Sequence, residues 1–102
     1  MAVLSDDVLA PDAEAAGLDP IALGRLTAAV RRDIDAGLHF GATVLVARAG
    51  VVGYHEPIGM VDPAVERSSS REDLYFLASA TKSITAVAVL QMIDRGLLSL
   101  VR

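Results

Sequence analysis

Leu74-Tyr75-Phe76-Leu77-Ala78-Ser79-Ala80-Thr81-Lys82-Ser83-Ile84-Thr85-Ala86-Val87-Ala88-Val89-Leu90-Gln91-Met92-Ile93-Asp94-Arg95-Gly96 is the stretch on which the fold turns. Leu74 to Leu77 form a short apolar approach. Ser79 then opens a helical pattern that continues through Ile84, Val87, Val89, Leu90, Met92 and Ile93. Gly96 fits the left-handed position that closes helices. From Ala86 to Leu90 every residue is apolar, so that part of the helix has no polar side. Such a helix is buried on most of its surface and sits centrally in a larger domain.

Ser79 and Lys82 stand at the N-terminal end of this helix. Lys82 is the only lysine, and eight arginines carry every other basic side chain. Arginine stays charged in proteins, whereas a lysine can be made to give up its proton. A site needing only a cation accepts either residue; a site needing a base accepts lysine alone. Residues three apart share one helix face, about 4.5 Å apart along the axis. That spacing suits a serine nucleophile and its general base. Burial and the positive end of a helix dipole both favour a neutral amine. The Ser79 backbone N–H offers one donor for an oxyanion. A bare Ser-x-x-Lys has a plainer reading too. Ser79 can be a helix N-cap, and Lys82 a first-turn residue reaching water.

Upstream, Asp19-Pro20 marks a helix start, with Asp as N-cap and Pro at the first helical position. Leu23, Leu26, Val30 and Ile34 recur at spacings of three and four, which predicts a helix over 20–36 with one face on a core. Thr43 to Arg48 is β-branched and apolar and reads as a strand. Ala49-Gly50 is a two-residue turn, with Val51 to Tyr54 returning antiparallel and Pro57 and Gly59 closing the hairpin. Residues 60–73, with Asp62-Pro63 and three consecutive serines, read as a connecting loop. Residues 1–18 form an irregular lead-in.

The composition narrows the function classes. A net charge of −4 and a pI near 4.9 argue against a nucleic-acid surface. Arg31-Arg32 is the one adjacent basic pair. The absence of cysteine excludes disulfides and thiolate metal sites. No apolar run is long enough for a membrane span, because Lys82, Asp94 and Arg95 interrupt the best one. Asp6-Asp7 break the apolar residues of the first ten, and no basic segment precedes them, so a cytoplasmic location is expected.

The string Phe76 to Ala86, centred on Ser79-Ala80-Thr81-Lys82, resembles the nucleophile segment of the serine β-lactamase and penicillin-binding superfamily, in particular its class C and esterase branch. Leu90 to Leu100 continues the resemblance. Upstream, Gly41 to Gly50 is similar to that family's first strand and turn, and Gly59-x-x-Asp62 to the segment after its second strand. The resemblance implies an α+β fold: a helix, a β-hairpin of an antiparallel sheet, a loop, and the buried nucleophile-bearing helix. It implies that Ser79 is the nucleophile and Lys82 the base, that the substrate is a small-molecule ester or amide, and that no cofactor or metal takes part. The family's Tyr-x-Asn or Ser-x-Asn element and its Lys-Thr-Gly or His-x-Gly strand have no counterpart. Tyr54 and Tyr75 precede the nucleophile, and His39 and His55 read as surface or loop residues. Residues 19–102 would thus be a partial domain that stops after the nucleophile helix, where Val101-Arg102 stands in place of the family's Asp-Asp-Pro. Two states are compatible with this: an active serine hydrolase, or a piece without activity of its own. A small non-enzymatic module is the remaining alternative.

Overall fold

The structure, a computed structural model, describes residues 5–101. Residues 1–4 of the lead-in and Arg102, the last residue of the expected domain, lie outside the described residues. Helix α1 spans Pro20–Asp35, strand β1 Gly41–Arg48, strand β2 Val51–Asp62, the short strand β3 Arg67–Ser68, and helix α2 Thr81–Asp94. The three strands form one antiparallel sheet in the order β1-β2-β3. This is the α+β arrangement expected: a helix, a hairpin, a loop and a second helix.

Helix α1 starts as its sequence dictates. The Asp19 carboxylate accepts the Ile21 N–H at 2.9 Å, and Pro20 occupies the first turn. Its apolar stripe faces β2, and Leu23 is buried there with Val52 and Ile58. These three are the buried hydrophobic residues among the described positions, and of them Ile58 alone is fully buried, at 1 % exposure. Tyr54 on β2 hydrogen-bonds Thr27 on α1 through the two hydroxyls, 2.5 Å apart. The helix is thus fixed to the sheet by one apolar and one polar contact.

The hairpin is longer than the sequence suggests. Pro57 and Gly59 do not end it; β2 continues through both to Asp62. Pro57 pairs opposite Thr43 in β1. The other edge of β2 pairs at Val52 and again from Met60, and among the described residues carries no strand between them, so a proline N–H missing on that side breaks no ladder bond. Gly59 has φ +78, and a Cβ there would lie 2.5 Å from the Phe40 carbonyl oxygen and 2.8 Å from Ile34 Cδ1. It is a close-approach glycine where the chain leaving α1 crosses the strand, not a terminator. At the far end, Ala49 and Gly50 both take positive φ, the requirement of a two-residue hairpin turn that matches strand twist.

The described part of the lead-in is held against the sheet. Leu9 bridges Val52 in parallel, and the Ala10 N–H donates to the Val52 carbonyl at 2.9 Å. Gly53 falls between the pairs Val46–Tyr54 and Ala47–Val52, leaving it as the extra residue of a bulge. Ala16 and Leu18 fill the space its missing side chain would take. Residues 60–73 are also more ordered than a plain loop. The Arg67 guanidinium donates to Asp73 at 2.8 Å, and the Ser70 N–H donates to the same carboxylate at 2.6 Å. Arg71 reaches back to Glu56 on β2 at 3.1 Å. The Asp73 side chain is only 5 % exposed. The Ser70 backbone N–H, followed by the Arg67 guanidinium, holds the Asp73 carboxyl below its ordinary range.

Helix α2 departs from the expectation of burial. None of its residues is buried, and Ile84, Val87, Val89, Leu90 and Met92 are all exposed. Its closest packing is on the turn at its own N-terminus. The radius of gyration is 17.4 Å, against about 13 Å for a compact domain of this length. The reason is area: α1 and the hairpin use their apolar faces on each other, and no other element among the described residues is free to cover α2. No helix is long and apolar enough to cross a membrane among the described residues.

Two outcomes check this core and its loop. Ile58→Ala should cost about 2–5 kcal/mol, whereas Leu45→Ala, at a residue 46 % exposed on β1, should cost about 0.5 kcal/mol. Urea denaturation measures both, and equal costs would place the core elsewhere. The depressed folded-state pKa of Asp73 means that the unfolded chain binds its proton first as pH falls. The stability it contributes is present above the ordinary carboxylate pKa of 3.8 and is lost as pH drops through the folded value. The gap in urea midpoint between the native chain and Asp73→Asn should therefore hold at neutral pH and close below about pH 4. A gap that stays constant through the acid range rules out the charge as its cause.

Candidate active site

The approach to α2, Leu74 to Phe76, has no regular secondary structure, and the chain then turns. Leu77 takes right-handed φ/ψ of −83° and −13°, and Ala78 takes φ +48. A 3₁₀ turn over Ala78–Ala80 follows and passes directly into α2. Ser79 therefore stands in the middle of this turn, two residues before the helix. The helix N-cap position is Ala80, which has no side chain able to cap. The N-cap role for Ser79 is accordingly not the one it plays. The Thr81 N–H instead donates to the carbonyls of Ala78 and Ser79, closing the turn through the backbone.

Lys82 lies in the first turn of α2 and bends back over Ser79. Its Nζ donates to Ser79 Oγ at 2.9 Å. The spacing of three residues thus brings hydroxyl and amine into direct contact, although the first of them is on a 3₁₀ turn rather than on the helix. Both side chains are exposed, because the helix that carries them is uncovered. The burial expected to favour a neutral amine is not supplied by the described residues. Thr85 spends its hydroxyl on the Thr81 carbonyl at 3.1 Å and takes no part.

The other polar residues weighed from the sequence lie elsewhere. Tyr54 is engaged with Thr27 on α1. Tyr75 hydrogen-bonds Thr43 on β1 at 2.9 Å, which ties the approach segment to the sheet. His39 is exposed in the turn after α1. His55 is not a loop residue: it sits half-buried within β2. It borders a cavity of about 330 Å³ between the lead-in and β2, together with Asp12, Tyr54, Glu56 and Arg71. A second, more apolar hollow of about 520 Å³ lies by Leu38, Phe40 and Met60. Neither includes Ser79 or Lys82. No group of three His, Asp or Glu side chains gathers as for a metal ion among the described residues.

Two features here escaped the sequence. The positive φ at Ala78 has no compositional signal, since alanine rarely adopts it. The Tyr75–Thr43 bond joins positions 32 apart. No local periodicity reports such a pairing.

Comparison with known proteins bears on this geometry. The Beta-lactamase family model matches residues 26–102, a stretch that includes β1, β2, Ser79 and all of α2. Esterase EstB of Burkholderia gladioli is 36 % identical over 94 residues, covering 84 % of this chain and 24 % of that protein. The chain thus spans about a quarter of the length of this curated relative. No solved structure is a significant match.

Proposed function

The chain belongs to the beta-lactamase family, and from that premise we propose that it carries the nucleophile and base of a serine hydrolase acting on a small-molecule ester or amide. The single observation behind this reading is the contact of 2.9 Å between Lys82 Nζ and Ser79 Oγ. An ester is the favoured substrate class because the matched relative is named an esterase.

In the proposed reaction Lys82 enters as the neutral amine. Ser79 Oγ attacks the substrate carbonyl carbon while its proton passes to Lys82 Nζ. The carbonyl oxygen becomes an oxyanion, and the Ser79 backbone N–H would serve as one donor to it. Collapse of the tetrahedral adduct breaks the bond to the leaving group, which departs with the proton held by the Lys82 ammonium. An acyl-Ser79 ester remains. Water then attacks that ester while its proton passes to the amine; the acyl carbon–Ser79 Oγ bond breaks, the Lys82 ammonium returns the proton to Oγ, and the acid is released.

A second reading rests on a specific observation. Ser79, Lys82 and every residue of α2 except the half-buried Ile93 are exposed. The chain covers 24 % of the esterase. No described element encloses the pair, so substrate would meet it in open water instead of in a closed site. On this reading the 102 residues hold the reacting pair in place but do not turn over alone.

Intact mass spectrometry with an activated aryl ester separates the two. The active reading expects one acyl group added to the native chain, none to Ser79→Ala, and a rate lowered about 10²–10⁴-fold in Lys82→Arg, which retains charge but cannot act as a base. A native chain that never acquires the acyl group, while its circular dichroism reports a fold, supports the inactive reading. An adduct that survives Ser79→Ala excludes Ser79 as the nucleophile.

A further inference from the structure

We infer that Ala78 and the Tyr75–Thr43 hydrogen bond together form a hinge lock that sets the Ser79–Lys82 pair against the sheet. The relevance of this to catalysis rests on the serine-hydrolase reading; the geometry itself does not.

Five glycines take positive φ among the described residues, so this chain ordinarily gives such positions to glycine. Three non-glycine residues do so as well: Ala49, Glu66 and Ala78. Ala49 forms the tight hairpin turn with Gly50. Glu66 ends the 3₁₀ turn Pro63–Val65 and delivers the chain to β3. Each reverses the chain between two paired strands, and that pairing holds it in place. Ala78 lies between no paired strands. It is the residue immediately before Ser79.

A left-handed L-residue persists only where its surroundings hold it. On the N-terminal side the hold is Tyr75 Oη on Thr43 Oγ1 at 2.9 Å, three residues upstream. On the C-terminal side it is the 3₁₀ turn, with the Ala80 N–H on the Leu77 carbonyl at 3.1 Å. The neighbouring apolar side chains supply little; Phe76 is 97 % exposed. Helix α2 packs mainly on its own leading turn, so its direction relative to β1 is set by the backbone that joins them. Relaxing Ala78 from φ +48 to the ordinary right-handed value of about −60° would swing Ser79, Lys82 and α2 together. The 2.9 Å contact within the pair would survive. Its aim relative to the sheet would not. Ala78 is thus a positioning residue, acting through the direction of the pair and not through its chemistry.

The absence of cysteine permits a direct test. Spin labels are placed on Ala47→Cys in β1 and Gln91→Cys in α2, both exposed and outside the proposed site. Dipolar electron resonance then reads the distance between sheet and helix. Ala78→Val, β-branched and disfavoured at positive φ, should shift the mean distance. Ala78→Gly should keep the mean and broaden the distribution, and Tyr75→Phe should broaden it by releasing the tie. Ala78→Val should also slow acylation of Ser79 by a fluorophosphonate about tenfold, and Ala78→Gly should recover most of that loss. Distances in Ala78→Val and Tyr75→Phe that match the native chain in mean and width overturn the hinge. If Ala78→Val does not fold, Tyr75→Phe decides alone. A native chain that is not acylated removes the hydrolase reading and leaves the distance result to decide the hinge.

Discussion

The packing of α1 against β2 is the contact on which the rest of this structure depends. Leu23 from the helix and Val52 and Ile58 from the strand close one small apolar contact region. The Thr27–Tyr54 hydrogen bond fixes the same two elements from a polar direction. Fully burying an aliphatic side chain stabilises by about 1.5–3 kcal/mol, so three of them make a thin core. The hairpin adds its ladder, but a two-stranded hairpin has little stability without a face to pack on. The helix supplies that face. The lead-in and the Arg67–Asp73–Ser70 knot then attach to β2, directly or through Arg71, and depend on its being in place.

That core leaves α2 with little tertiary support among the described residues. A helix of 14 residues is marginal in water by itself. Ile84, Thr85, Val87 and Val89 are β-branched and lose rotamer freedom in a helix, which lowers its intrinsic tendency further. An apolar stripe would have shown where a single neighbour should sit. Here the apolar residues surround the helix, and a helix of that kind is stable when enclosed. The exposed apolar surface of α2 and the modest core thus have one origin: α2 carries the composition of a central helix, and nothing among the described residues surrounds it.

What could be read from the sequence follows the range of the interaction responsible. Asp19-Pro20 and the Leu23-Leu26-Val30-Ile34 spacing are local signals, and α1 appears where they put it. Ala49-Gly50 is also local, and the turn is there. Pro57 and Gly59 misled for a definite reason. Local rules treat both as breakers, whereas their tolerance depends on which strand edge is open and on what crosses above, facts fixed by tertiary contacts. The docking of the lead-in through Leu9 and Gly53 was hidden for the same reason. For the site, the spacing of Ser79 and Lys82 sufficed to bring them into contact. The 3₁₀ turn, the left-handed Ala78 and the Tyr75 tie were not legible, because each depends on a backbone choice or a distant partner. The expected burial of α2 was a sound inference from composition, and it fails here for want of covering elements.

The single lysine can be set beside the arginines it stands among. Arg67 and Arg71 are paired with carboxylates on Asp73 and Glu56, and Arg48 donates to the Gly17 carbonyl. These cations do structural work that a permanent charge performs well. Lys82 is placed differently: its partner is a hydroxyl. A carboxylate partner would hold the amine charged and spend it as a cation. On the proposed hydrolase reading, a hydroxyl is the partner from which the amine would take a proton. Arginine at this position could make the same contact without ever reversing it. The proposed role of Lys82 as a base thus rests on the capacity of a lysine to give up and regain a proton, which arginine lacks.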